Sequence, residues 1–539
     1  MEAILLALWA PLSIGNVTDE AAGIETMFAQ RYPATRAVGA AAKSTIDLVF
    51  PGALWTWEHL VAFIFQSILA AYVVYAVAAW HLAHGEHEGD RGHRTLGGGS
   101  RPGIRWILVP LVFFQITMIF VPGTMTTDIY NYAIYGEMPV LYGASPFVHT
   151  PHEFPQSPLY YLIPLYWHDA PSVYGPLWID ISTGVAALFQ TLPLADELLA
   201  YRAVANVAHT ANALLVWSIA RRVAPGRETS AILAYAWNPL LLVEFCLNGH
   251  NDVLMLTFVL VGILLTVSGR PLAGAVGLGL SVATKYTSVL IAPLLLVWSA
   301  SRAKDGESAE FHRDRHPVIR ASAVLDGRRL LHLPRLALRA AAIALVVALL
   351  YLPWFQGAET FGPVLYWMTG PRINNFWPDG LLTSVTTSLT NASGMSWNDV
   401  YDPLFRAFKI VAKVALVVWI AGEALRLRSM GDVLAGSARV LLVFLLVVNT
   451  WMMPWYYTWP LAVAAALGWQ SRLVRVCAGF TLTAAIAMYQ HQFSHQVVDE
   501  RLGLFLVLPV VMALAPDVLR RARSAWRAHG YAEAARVAR

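Results

Sequence analysis

The sequence predicts an all-α membrane protein, a polytopic bundle of about 13 transmembrane helices. Three observations carry that expectation. Hydrophobic residues make up 57% of the 539 and charged residues only 13%, about half the roughly 25% usual in soluble domains. Apolar stretches able to cross a hydrocarbon core of about 30 Å recur along nearly the whole chain. The loops joining them alternate between basic and base-free, as the positive-inside rule requires of a protein that weaves across a bilayer. Twenty Trp suit two membrane interfaces, where indole rings collect. The two cysteines, Cys246 and Cys477, lie in apolar runs and define no disulfide framework.

Taken in order, residues 3–15 are apolar but too short for a span, and no basic segment precedes them. They read as an interfacial or membrane-dipping piece of an outer segment, 1–58. Crossings follow at 59–81, 105–122, 200–220, 229–246 and 252–268. The apolar run 271–300 lies between Arg270 and the basic loop 302–339, both on the cytoplasmic side, so it must cross an even number of times. It reads as a hairpin of two short helices with Lys285 at its outer tip. Further crossings fall at 340–354, 404–425, 437–453, 456–469, 476–490 and 502–518.

The loops set the orientation. Basic residues cluster in 91–105, at Arg221 and Arg222, in 302–339, at Arg426 and Arg428, at Arg472 and Arg475, and from Arg520 onward. From Trp106 to Tyr201 there is no Lys or Arg at all. Segments 124–199 and 356–402 therefore face outside, and 177–192 becomes an interfacial helix, since only one crossing fits between the outer loop and Arg221. Loop 84–103 is flexible by its glycines, and its histidines read as solvated loop residues rather than a metal tract. The chain thus divides into 1–58, an extra helix with its loop at 59–104, a central module at 105–300, a cytoplasmic linker at 301–339, C-terminal helices at 340–518 and a basic tail at 519–539. It shows no Walker, Rossmann or zincin motif and nothing that suggests nucleic acid as a partner.

With this orientation, nearly every outward turn carries an ionisable group, and such groups at the edge of a bundle are functional candidates. The first outer loop reads TTDIYNYAIYGEMPVLYGASPF, with Asp128, Tyr130, Tyr132 and Glu137, followed by PSVYGPLW at 171–178. The second turn, NPLLLVEFCLNGHND, holds Glu244, Asn248, His250 and Asp252. The third is ATKYTS, with Lys285 and Tyr286, and the fourth is GPRINNFWPDG, with Arg372 and Asp379. The fifth, NTWMMPWYYTWP, includes Trp455 and Tyr456 and serves equally as an interfacial belt or as a platform for a lipid or sugar. His491 and His495 read as solvated turn residues, His209 as an interior histidine, and Lys285 retains snorkelling as its alternative.

At these residues the chain resembles the GT-C superfamily of membrane glycosyltransferases, and above all the bacterial polyprenyl-phosphomannose-dependent mannosyltransferases. The likeness spans roughly 105–470. It rests on the Asp followed by tyrosines and G-x-SPF, the YGPLW segment, the NPLL…E…GHND turn and the ATKYT tip, all in order and all on one side. It implies a GT-C bundle with amphipathic interfacial helices in the first outer loop, and an essential acid at Asp128. Position 130 is Tyr, so Asp128 belongs to no DxD pair; no cofactor is assigned and a divalent metal is left open.

The chemistry fits these residues. A sugar phosphate needs cations or donors to stabilise the departing phosphate, for which Lys285, Arg372 and His250 are the candidates. The acceptor hydroxyl needs a base, for which Asp128 is placed. One base opposite the leaving group implies inversion. Tyr130, Tyr132, Glu244, Asn248, Asp252, Tyr286, Trp455 and Tyr456 are the expected substrate-binding residues. The expected partners are a polyprenyl-phosphate sugar donor, a lipid or glycan acceptor and membrane lipids, with the site on the outer face of the cell membrane. The alternatives are a ligase, polymerase or flippase of lipid-linked glycans, or a secondary transporter. Against the last, the ionisable groups gather at one face rather than the midplane.

Overall fold

A computed structural model describes residues 1–8, 28, 30–49, 57–90, 103–301, 333–369 and 376–494, together with 509–511, 513, 514 and 518. Arg372, the linker at 302–332, the tail and most of the crossing at 502–518 lie outside the described residues, as do His495 and the side chains of Asp379 and His491.

Among the described residues the protein is helical throughout, without β-strand. Four of the described helices are long and apolar enough to cross a membrane: Ala62–Ala83, Leu194–Val223, Leu333–Trp354 and Met430–Val448. A fifth qualifies if the bent pair Glu228–Ala236 and Pro239–Leu247 forms one span. Other apolar helices, such as Asp252–Val267 and Pro271–Thr284, are about 20–25 Å long at about 1.5 Å per residue. The all-α polytopic fold stands. Its helices are α1 (Glu2–Ala7), α2 (Ala34–Val49), α3 (Trp57–Asp90), α4 (Arg105–Ile119), α5 (Asp128–Tyr142), α6 (Pro176–Phe189), α7 (Leu194–Val223), α8 (Glu228–Ala236), α9 (Pro239–Leu247), α10 (Asp252–Val267), α11 (Pro271–Thr284), α12 (Ala292–Ser301), α13 (Leu333–Tyr351) and, beyond these, helices ending with Arg472–Ser494.

Three local expectations are corrected. Residues 84–90 are not loop but the last turns of α3. The reason is Glu86, which is buried, accepts from the Ser230 backbone N–H at 2.9 Å and from Gln470 Nε2 at 2.7 Å, and so anchors the helix end to α8. The run 456–469 is not one helix but a short one, Thr458–Ala464, between two 3-10 turns. The third correction matters most for the site: the stretch 229–246 is broken.

Between α8 and α9 the axis bends by 47°. The Asn238-Pro239 pair explains the break, because Pro lacks an N–H and pushes the preceding residue out of helical conformation. Asn238 is extended (ψ 124°), and its side-chain oxygen caps α9 by accepting from Leu240 and Leu241 N–H. A break in an apolar bundle frees backbone carbonyls that must find donors. A row of polar side chains on α7 supplies them. Asn206 Nδ2 donates to the Cys246 carbonyl at 3.0 Å and His209 Nε2 to that of Ala236 at 3.2 Å, while Asn212 Nδ2 donates to the Val253 carbonyl at 2.9 Å, inside the first turn of α10. His209 is thus an interior residue tied to the break. The last six residues of α9, Leu242–Leu247, adopt a wider π-helical turn, which delivers the chain into the turn at 248–251.

Two glycines set the geometry there. Gly249 has φ +74°, a left-handed conformation that lets the chain reverse into α10. Gly175 donates its N–H to the Thr284 carbonyl at 3.1 Å, and any Cβ at this position would strike the Ala283 carbonyl. The YGPLW and ATKYT segments, far apart in sequence, are therefore in backbone contact. At the junction of α11 and the following 3-10 turn the helix opens at Lys285, whose backbone is extended (φ −154°, ψ 122°).

Candidate active site

The chain leaving α4 passes through residues 120–127 and enters α5 at Asp128. Its path is held by Arg202, which is fully buried and donates to three carbonyls: Ile119 at 3.1 Å, Val121 at 2.5 Å and Gly123 at 2.8 Å. Phe28 lies 5.2 Å from the guanidinium and shields it. Sequence reasoning missed this residue. Its signal was available, since Arg202 ends the base-free stretch and sits inside an apolar helix.

Asp128 opens towards His250, and its side chain is 15% exposed whereas His250 and Glu244 are wholly buried. His250 Nδ1 lies 3.5 Å from Asp128 Oδ2, and Nε2 lies 3.1 Å from Glu244 Oε2. Three elements therefore contribute to one row: the start of α5, the turn after α9 and the π-helical turn itself. The imidazole is fixed on its other sides by Thr126 Oγ1 at 3.3 Å from Nε2, Tyr132 OH at 3.4 Å from Nδ1, and the Trp455 ring stacked at 3.9 Å. Glu244 is steadied by Asn248 Nδ2 at 2.8 Å, and Asn248 accepts from the Met125 N–H at 2.9 Å. Burial alone would lower the His250 pKa, but hydrogen bonds to Asp128 and Glu244 and the charges of both carboxylates outweigh it and raise it to about 9. At neutral pH the ring is an imidazolium between two carboxylates.

A second row begins at Asp252, the first residue of α10. Its carboxylate is wholly buried and accepts from Lys285 Nζ at 2.9 Å on each oxygen, and from Trp459 Nε1 at 2.7 Å. Lys285 is 13% exposed, with the rings of Tyr456 and Trp459 at 5.0 and 5.6 Å. Trp459 is a second residue that sequence reading passed over, hidden among the aromatics of its segment. Tyr132 joins the rows, because its hydroxyl also meets Asn251, which accepts through Oδ1 at 3.4 Å and donates its backbone N–H at 3.3 Å.

Of the residues singled out by sequence, the structure gathers Asp128, Tyr132, Glu244, Asn248, His250 and Trp455 around the first row, and Asp252, Lys285 and Tyr456 around the second. Tyr286 turns away, donating to the Tyr174 carbonyl at 3.1 Å and meeting the Tyr351 hydroxyl. The Tyr130 hydroxyl meets Thr124 Oγ1, 3.3 Å away. Glu137 accepts from Ser157 at 2.7 Å, and burial pushes its carboxyl up from the usual range. His250, expected to meet a phosphate, instead has both ring nitrogens directed at carboxylates. Among the described residues, no three His, Cys, Asp or Glu side chains are arranged to hold a metal ion.

Beside Tyr286 an apolar groove of about 810 Å³ runs between α12 and α13. Tyr286 and Tyr351 line one part, and Val289, Leu296, Ile343 and Val347 line the rest. Helix α13 is the least buried of the long apolar helices, so the groove is open to the bundle's surroundings.

These features can be set beside known proteins. Alpha-(1->6)-mannopyranosyltransferase A of Mycobacterium tuberculosis is 26% identical over 389 residues, covering 71% of this chain and 69% of that protein. The alpha-(1->6)-mannopyranosyltransferase A of Corynebacterium glutamicum is 25% identical over 392 residues, covering 71% and 75%. A probable alpha-(1->6)-mannopyranosyltransferase of Mycolicibacterium smegmatis is 25% identical over 455 residues, covering 76% and 72%. No solved structure matches the chain. Residues 31–301, which include both rows, match the family described as "Alpha-(1->6)-mannopyranosyltransferase, N-terminal domain", and the chain belongs to that family of membrane mannosyltransferases.

Proposed function

We propose that this mannosyltransferase takes mannose from a polyprenyl-phosphate carrier and places it on a hydroxyl of a lipid or glycan acceptor at the outer membrane face. The observation that carries the reading is the neighbourhood of Lys285. A partly buried cation stands one residue from Tyr286, which lines an apolar groove open to the bundle's surroundings. A donor with a charged phosphate on a long hydrocarbon tail matches both halves: the tail lies in the groove and the phosphate meets Lys285, with Arg372 as a further cation from the fourth outer turn. Burying each CH₂ of such a tail is worth about 0.8 kcal/mol, so the groove can contribute much of the donor's binding.

The acceptor's oxygen attacks the anomeric carbon while Asp128, the partly exposed carboxylate of its row, takes the hydroxyl proton. The bond from the anomeric carbon to the phosphate oxygen breaks, and its electron pair stays on the phosphate, where the cations stabilise it. A single displacement inverts the anomeric centre. The relatives are named for an α linkage; an α product formed by inversion requires a β-linked donor.

The test is to incubate purified protein with polyprenyl-phosphate sugars of both anomers and an oligomannoside acceptor. β-Mannosyl phosphate should be consumed with release of the carrier phosphate. Transfer from nucleotide-linked mannose alone, with none from the lipid-linked donor, would defeat the reading. The facing is tested separately. Cys246 and Cys477 are both buried, so Leu165→Cys, at an exposed site, should react with an impermeant thiol reagent from outside, and Arg428→Cys only after the membrane is opened.

A further inference from the structure

We infer that His250 is a positioning residue: held as a cation by Glu244, it fixes the carboxylate of Asp128 in the orientation needed to accept the acceptor's proton. The inference rests on the proposed role of Asp128 as base.

The geometry separates this role from direct contact with substrate. His250 has no exposed surface, and its two nitrogens are taken up by Asp128 and Glu244. A histidine held in this way cannot also donate to a phosphate unless it leaves one carboxylate unpaired in a buried setting, a costly exchange. What it can do is hold one oxygen of Asp128, Oδ2, and leave the other for the acceptor, on a side chain that is 15% exposed. A carboxylate tethered on one side loses rotational freedom it would otherwise have to surrender on reaching the transition state. Glu244 acts on the opposite nitrogen of the ring, Nε2, at 3.1 Å; its part is to orient the ring and keep it charged, the logic of a carboxylate that holds a histidine for its partner.

The surroundings define when this arrangement exists. From α5 the ring faces Asp128 and the neutral hydroxyl of Tyr132. From α9 it faces Glu244, from the preceding loop Thr126, and from the 3-10 turn at 454–457 the Trp455 ring. Asp252, two residues on, is balanced by Lys285 at 2.9 Å. Arg202 lies behind Gly249 and is engaged with its three carbonyls. Two carboxylates thus act on the ring directly, and they raise its pKa to about 9. The sign follows: the positioning is complete below the ordinary histidine value of about 6.5, persists through neutrality, and is lost as pH rises through about 9. In the transfer step His250 keeps its proton throughout. The acceptor's proton goes to Asp128 and then to water through its exposed edge.

The experiment is the pH dependence of kcat and of KM for donor and acceptor, measured for the wild type, His250→Gln, Glu244→Gln and Asp128→Asn in detergent or nanodiscs with a lipid-linked mannose donor. The wild type should show an alkaline limb in kcat near pH 9. His250→Gln should lower kcat about 10–100-fold, leave both KM values within about threefold, and abolish that limb. Glu244→Gln, which retains the ring but removes one of its two anions, should move the limb to lower pH by about one unit or more. A merely structural histidine would lower thermal stability and folded yield while leaving the limb in place in the folded fraction, and that result overturns the inference. If His250→Gln does not fold, an unmoved limb in Glu244→Gln overturns it equally. Asp128→Asn separates the two ideas. Near-normal turnover there removes the underlying reading, whereas an inactive Asp128→Asn beside unmoved limbs in the other two removes this inference alone.

Discussion

Removing Lys285 gives the sharpest test of whether its charge serves the reaction or only the fold, because the structure predicts two separable effects. Asp252 is wholly buried and takes two bonds of 2.9 Å from Lys285. Lys285→Met strands that carboxylate with Trp459 Nε1, at 2.7 Å, as its remaining donor. Breaking a buried pair from one side costs about 3–5 kcal/mol, and the surviving indole bond offsets on the order of 1 kcal/mol. The single variant should therefore be less stable by about 2–4 kcal/mol, and a fall in its activity would say little. The double variant Lys285→Met with Asp252→Asn removes both charges and keeps the acceptor for Trp459, so most of the stability should return. If Lys285 meets the departing phosphate, the well-folded double variant should still be slower by about 10²-fold or more, equivalent to about 2.7 kcal/mol of transition-state stabilisation. The assay is kcat/KM for the lipid-linked donor on protein shown to be folded by thermal melting. Recovery of both stability and turnover would refute the reasoning and leave Lys285 as a structural counter-ion for Asp252.

Three further outcomes are expected. Asp128→Asn should fold, still bind the donor and lose about 10²–10⁴-fold in transfer rate; a near-normal rate in product-release assays would remove it from the mechanism. Ala344→Trp, which fills the groove between α12 and α13, should raise KM for a long-chain donor about 30-fold while sparing a short-chain analogue, since displacing even a few methylenes costs about 2 kcal/mol; equal effects on both donors would place the tail elsewhere. Arg202→Lys should behave nearly as badly in thermal melts as Arg202→Met, because one ammonium cannot reproduce a planar fork spread over the three carbonyls of Ile119, Val121 and Gly123; full stability in the Lys variant would show that charge alone suffices.

Much of the candidate site was legible because its residues are expensive where they stand. Asp128, Glu244, His250, Asp252 and Lys285 are ionisable groups in apolar surroundings, and their shared sidedness followed from counting basic loops. Their pairing was not legible. Nothing in sequence joins Lys285 to Asp252 rather than to a phosphate, or turns His250 towards Asp128 and Glu244; those contacts depend on the break between α8 and α9 and on the approach of Gly175 to Thr284. The break did have a signal, Asn238-Pro239, masked by the hydropathy of a run that reads as a continuous span. Arg202 also had a signal, as the base that ends the base-free stretch inside an apolar helix, but only the three carbonyls it collects reveal its use.

The break also explains why a row of polar residues lies inside α7. Asn206, His209 and Asn212 occupy positions three apart on one helix face and donate to Cys246, Ala236 and Val253, respectively at the end of the π-helical turn, at the bend and in the first turn of α10. The first two carbonyls are freed by the break, and each would otherwise cost about 1–3 kcal/mol in this apolar setting; the third, inside α10, ties α7 to the helix that follows the turn. An unbroken apolar helix in place of α8 and α9 would not need the first two of these partners and would be simpler to stabilise. It would also carry Glu244 and the turn at 248–251 straight on, away from Asp128 at the start of α5. The bend and the π-helical turn together bring Glu244 and His250 against that carboxylate, and α7 supplies the donors that make the bend tolerable. On this account the polar face of α7 serves the site at one remove, and its own residues need never touch a substrate.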